Sequence, residues 1–234
     1  MEEIENLRNL SEYEYGALKE LGNIGIGNSA TSLYKLTNSL VQTRVLSAKF
    51  ELIENIPKIT GISELPVMGS FMHIEKDLAG YILIFFPEKS VKNLALIFLD
   101  EEKETDLVNT VSRPLIEKDL IDTMSRPLIE KDLIDTMSRS LIGEVSHILA
   151  GTYVTALSKF LDLTILISAP YTVYDMSSSI LNSVLTEMSY KTDFALLLDT
   201  EFLIKEKKIY GYVLTLFDPA SLDYLLKRIN EMPH

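Results

Sequence analysis

The chain of 234 residues contains no cysteine and no tryptophan. Without thiols there is neither a disulfide framework nor a thiolate nucleophile, and a reducing compartment is permitted. Its three histidines, His73, His147 and His234, lie far apart in the sequence, so no metal-ligand spacing is visible. Positive charge is scarce: 22 Lys and Arg stand against 34 Asp and Glu, for a net charge of −12 and a pI near 4.8. Such a field repels phosphate backbones and anionic lipid, which argues against nucleic acid or a membrane surface as partner. No apolar run reaches the ~20 residues of a membrane span. The opening Met1-Glu2-Glu3-Ile4-Glu5 is acidic where a secretory signal would be basic. The expected location is the cytoplasm.

What the chain does have is 47% hydrophobic residues, enough for a sizeable core, and an internal repeat. The stretch Glu20-Leu21-Gly22-Asn23-Ile24-Gly25-Ile26-Gly27-Asn28-Ser29-Ala30-Thr31 is echoed by Glu144-Val145-Ser146-His147-Ile148-Leu149-Ala150-Gly151-Thr152-Tyr153-Val154-Thr155. With Glu20 set on Glu144, the copies share Glu, Ile, Gly and Thr at the same steps and match again at Leu33/Leu157 and Lys35/Lys159. On a helix of about 100° per residue, Gly16, Glu20, Asn23, Gly27, Thr31 and Tyr34 form one stripe. Leu18, Leu21, Gly25 and Leu36 turn away from it. The echo puts Ser140, Glu144, His147, Gly151, Thr155 and Ser158 on the same stripe. A glycine inside a helix costs about 1 kcal/mol against alanine, so the glycine run implies that something packs tightly against this helix.

In chain order, Ser11 with Glu14 three residues on has the capping-box spacing and opens a helix that runs to about Lys35, before Asn38. Val41 to Ile53 reads as a strand, and 66–74 with 80–86 as a hairpin. Pro87 and Ser90 start a helix through Leu99. The charge run Asp100 to Asp106 reads as a solvated linker. The order then recurs, with Gly211-Tyr212-Val213-Leu214, Phe217 and Ser221 answering Gly80-Tyr81-Ile82-Leu83, Phe86 and Ser90. The expected fold is α/β (α+β), a pseudo-twofold repeat of two halves whose mainly antiparallel sheet is covered by long helices. The half-repeats span about 9–100 and 125–234, joined by a linker over 101–137.

That linker carries an exact duplication. Ser112 to Met124 recurs unchanged as Ser125 to Met137. A shift of 13 residues turns a helix by about 220°, so both copies cannot show one face to one core within a continuous helix. Ser125-Arg126-Pro127 is therefore expected to start the second long helix, leaving the first copy as a loop or a separate short helix.

Gly25-Ile26-Gly27-Asn28-Ser29-Ala30 imitates a dinucleotide fingerprint, but a true one follows a strand and opens a helix. Here helix already precedes it, and no Walker lysine is present.

The Glu20 to Ala30 phrase, with its degenerate copy, instead resembles the CheC/CheX/FliY family of chemotaxis phosphatases over nearly the whole chain. That resemblance implies a single CheC-like domain over 1–234. The family pattern is Asp or Ser, three residues, Glu, two residues, Asn, then twenty-two residues and Pro. The first copy supplies Glu20 and Asn23 but has Gly16 and Leu46 at the outer positions. The second supplies Ser140, Glu144 and Pro170, with His147 in place of Asn.

The implied activity is hydrolysis of the aspartyl phosphate of the response regulator CheY. Asn23 would orient the attacking water and Glu20 anchor the regulator, with Glu144 and His147 as the second pair and Ser140 and Pro170 in support. No cofactor of the chain's own is implied, because Mg²⁺ is supplied by the regulator. An imidazole is bulkier than an amide and changes charge near neutral pH, so the first copy is expected to carry more activity. The resemblance also implies a binding module that docks the receptor deamidase CheD, for which Asp175 is the nominated contact; Asp175 otherwise reads as a helix N-cap. A CheC-like adaptor with little or no turnover is the alternative function.

Overall fold

The computed structural model describes residues 10–61, 65–106, 126–187 and 194–231. Helix α1 (Glu12–Thr37) opens on a complete capping box: the Ser11 amide donates to Glu14 Oε2 at 2.8 Å and the Glu14 amide to Ser11 Oγ at 3.2 Å. It stops at Asn38, which takes the left-handed conformation (φ 44°) that asparagine tolerates. Strand β1 (Val41–Leu52) follows, then a short helical turn over 53–59, the hairpin β2 (Pro66–Lys76) and β3 (Gly80–Pro87), and helix α2 (Glu88–Asp106). The second half runs α3 (Arg126–Leu161), β4 (Ile165–Ile167), β5 (Tyr171–Met176), α4 (Ser177–Glu187), β6 (Phe194–Ile204), β7 (Lys207–Phe217) and α5 (Pro219–Asn230).

All pairings are antiparallel, in the order β1-β6-β7-β3-β2-β4, with β5 alongside β4 on the outer edge of β2. The offset of 124 that sets Glu20 on Glu144 also carries Val41–Leu52 onto 165–176, the span of β4 and β5. The pseudo-twofold therefore passes between β3 and β7, and each half lends its first strand to the other: β1 lies on β6, and β4 and β5 lie on β2. The expected α+β fold with a repeated antiparallel sheet is the one observed.

The central strands are buried on both faces, which is why β3 reads as the continuous apolar run Tyr81 to Phe86. The edge strand β1 alternates instead. One core lies between the sheet and α1, α2, α3 and α5, around Leu21, Ile26, Phe86, Tyr153 and Phe202. A smaller one on the opposite face gathers Ile56, Phe85, Ile180 and Leu214 beneath α4 and the 53–59 turn.

A matched pair of hydrogen bonds locks the halves together. Ser90 Oγ at the start of α2 accepts from the Tyr210 amide of β7 at 2.9 Å, and Ser221 Oγ in α5 accepts from the Ala79 amide ahead of β3 at 2.8 Å. Both hydroxyls are buried and each reaches into the opposite half. Replacing either serine by alanine strands a backbone N–H and should cost about 1–3 kcal/mol, measurable as a lower denaturation midpoint in urea.

Helix α3 begins at Arg126 with Pro127 in its first turn, where proline is tolerated. The first copy of the 13-mer, 112–124, lies outside the described residues. Helix α2 runs on through the charge run to Asp106, where the sequence reads a linker. Glu and Lys are good helix formers and neither Gly nor Pro interrupts 88–106, so the helix has no reason to stop at Leu99.

Candidate functional site

The amphipathic pattern of α1 is realised. Leu18, Leu21, Gly22, Gly25, Ile26, Ser29 and Leu33 are buried, while Gly16, Glu20, Gly27, Thr31 and Tyr34 are exposed and Asn23 is half-buried. What fixes this orientation is the contact with α3. A Cβ on Gly25 would lie 2.6 Å from the Tyr153 Cα, so the backbones meet at a point where only glycine fits. A Cβ on Gly22 would lie 2.9 Å from the Leu198 methyl carbons of the sheet, side-chain ends rather than backbone. Gly16 and Gly27 have nothing within 4 Å, so the fold makes no steric use of them.

With the inner face pinned, Glu20 and Asn23 stand one turn apart on the outer surface. Neither makes a hydrogen bond or ion pair to another described residue. A carboxylate and an amide held on a rigid helix without internal partners can offer an anchoring charge together with a donor and an acceptor to an incoming group.

On α3, Ser140, Glu144 and His147 are all exposed, and Glu144 and His147 are equally free of partners among the described residues. Pro170 lies in the break between β4 and β5. This break comes close to α3: a Cβ on Gly143 would lie 3.1 Å from Thr172 Oγ1 and 3.9 Å from Pro170 Cγ. Thr172 in turn shares a 2.8 Å hydrogen bond with Ser70 of β2.

Leu46, at the step where Pro170 stands in the second copy, lies in β1. The pairing of β1 with β6 shifts register between Val45 and Ser47, leaving Leu46 on the bulge and 45% exposed. The irregularity beside the helix thus persists without the proline. An extra residue in an edge strand is accommodated by local twist, whatever its type.

The structure brings Glu20 to Asn23 and Glu144 to His147, each pair on its own helix face. Asp175 belongs to neither. It is exposed on β5, opposite Val67 of β2, and its Oδ1 accepts from the neighbouring Met176 amide at 2.7 Å, one residue before α4 begins. The far end of α4 is fastened by Glu187, which lies 3.5 Å from His73 Nε2 and also engages Tyr81; burial and that carboxylate push the Tyr81 hydroxyl up to about 12.

Among the described residues no group of three His, Asp or Glu could hold a metal ion. No helix there is long and apolar enough to cross a membrane. Ile24 carries no polar signal in the sequence, yet it is 42% exposed between Glu20 and Asn28.

Residues 137–174, from the described part of α3 into β5, match the CheC-like family. Over 222 residues the chain is 27% identical to the CheY-P phosphatase CheC of Bacillus subtilis (strain 168), covering 92% of this chain and 93% of that protein. In fold this chain is similar to the crystal structure of FliY from Thermotoga maritima, at a TM-score of 0.64 and 18% identity, covering 95% of this chain and 98% of the solved one. The FliM middle domain from H. pylori is similar in fold at a TM-score of 0.53 and 11% identity, covering 94% of this chain and 99% of that one.

Proposed function

We propose that this chain, CheC-like in sequence and fold, hydrolyses the aspartyl phosphate of a CheY-type response regulator at the outer face of α1. The observation that carries the reading is the pair Glu20 and Asn23, without partners among the described residues, on a helix whose opposite face is locked against α3. The sequence relative named for action on CheY-P supports the substrate class.

The chemistry asks little of the protein. A water oxygen attacks phosphorus in line with the acyl oxygen, the P–O bond to the aspartate breaks to leave its carboxylate, and both of the water's protons end on the inorganic phosphate. The reacting phosphoryl group is already activated by its carboxylate leaving group, so the useful contribution is to hold the water in line. Asn23 supplies a carbonyl oxygen to accept from that water and an NH₂ to donate to a phosphoryl oxygen at the same time. Glu20, one turn back, pairs with a basic side chain of the regulator and sets the depth to which Asn23 enters. A Mg²⁺ bound by the regulator itself would neutralise charge on the phosphoryl oxygens.

A second reading, a docking protein with little turnover, is favoured by the departures at Gly16, Leu46 and His147. It is also favoured by Asp175, exposed on the outer strand beside α4 and offered as the contact for a CheD-type deamidase. Release of inorganic phosphate from the phosphorylated regulator separates the two. The enzyme reading requires an acceleration that disappears in the Glu20→Gln, Asn23→Ala double variant. Binding of the regulator with no acceleration by the unaltered chain would establish the docking reading in its place.

A further inference from the structure

We infer that Ile24 is the apolar contact by which α1, rather than α3, seats the phosphorylated regulator; this rests on the reading that the regulator meets the Glu20 and Asn23 face. A single exposed isoleucine is ordinary on a protein surface. The repeat supplies an internal control that makes this one informative. Ile24 and Ile148 are the same residue at the same step of the two copies, about 40° around the helix from Glu20 and Glu144 respectively. Ile148 is partly buried and packs against the main core. Ile24 has no such cover and is 42% exposed.

The contrast extends along the stripe. Tyr34 on α1 is 49% exposed, whereas its counterpart on α3 is the half-buried Ser158. The α1 face thus presents a carboxylate and an amide without partners among the described residues, with the uncovered Ile24 beside them, whereas on α3 the Ile148 beside the polar pair is partly buried. Interfaces draw most of their affinity from a few large side chains in a desolvated patch, with polar groups setting orientation. On α1 the two parts coincide. The occupant they fit is a receiver domain that offers an acyl phosphate to Asn23, a cation to Glu20 and an apolar surface to Ile24.

The test titrates the full chain against the receiver held in its activated state by beryllofluoride and Mg²⁺, alongside phosphate-release kinetics. Ile24→Ala should weaken binding about tenfold, appearing as a higher KM with kcat retained, and leave Tm unchanged because the site is exposed. Ile148→Ala should lower Tm while binding stays as in the unaltered chain. Equal binding by Ile24→Ala and the unaltered chain overturns the inference, whatever the catalytic result. If the unaltered chain binds but does not accelerate phosphate loss, the phosphatase reading falls, and a weakened Ile24→Ala complex still upholds the inference. Absence of binding by the unaltered chain overturns both.

Discussion

Asn23→Ala is expected to lower the rate of regulator dephosphorylation on the order of 100-fold, the scale of loss when a positioning group is removed from an otherwise intact site. The variant should fold normally, because the Asn23 side chain bonds to no other described residue and alanine favours the helix. His147→Ala is expected to change the rate within about twofold, or less than about 0.5 kcal/mol in barrier. The difference lies in donor and acceptor geometry. An amide offers a carbonyl and an NH₂ on one short planar end, so it can accept from water and donate to a phosphoryl oxygen together. An imidazole offers its two nitrogens on opposite sides of a ring, and its acceptor vanishes on protonation. Single-turnover phosphate release across both variants is the measurement, and equal losses would overturn the ranking of α1 over α3.

The converse substitution sharpens this. The α3 copy already has Ser140 and Glu144 exposed in register and Pro170 in the strand break that approaches Gly143. His147→Asn completes its polar set. If water positioning is all that site lacks, the rate should rise by up to about twofold, as a second equivalent site would supply, and the Asn23→Ala background should show it most clearly. No gain in either background would mean that access, not the imidazole, limits α3.

Much of this architecture is legible in the residues because local chemistry and tertiary packing agree. Ser11 and Glu14 announce the start of α1, Asn38 its end, and one offset relates the helices and their following strands. Less legible is the exchange of first strands between halves. Alternation in β1 shows which side chains face the core, but nothing in 41–52 says that β6, about 150 residues on, is its partner. The charge run after Leu99 is another case: Glu and Lys suit both a solvated linker and an exposed helix, and the backbone takes the second course as far as Asp106. Leu46 shows the limit of motif reading, since the bulge sits at that position with leucine as its residue. Ile24 and Ile148 show the limit of residue type itself. Their burial differs because their neighbours differ, and those neighbours come from elsewhere in the chain.

The glycine run offers the largest expected stability effects, and with opposite signs two residues apart. Gly25→Ala places a methyl 2.6 Å from the Tyr153 Cα and 3.1 Å from its Cδ2. Tyr153 is fully buried and cannot yield, so α1 and α3 must separate along their contact, at a cost of about 3 kcal/mol or somewhat more. In a domain of this size that lowers Tm by roughly 6–12 °C. Gly27→Ala meets nothing within 4 Å and removes a helix-interior glycine, so it should raise stability by about 1 kcal/mol and Tm by roughly 2–4 °C. If the regulator lies against α1 beside Glu20 and Asn23, the same methyl intrudes on the complex, and turnover should fall as stability rises. A stabilised Gly27→Ala with undiminished phosphate release would show that no partner comes close to α1 at that step. Gly151→Ala, equally open on α3, provides the paired control: the same gain in stability with the α1 activity intact.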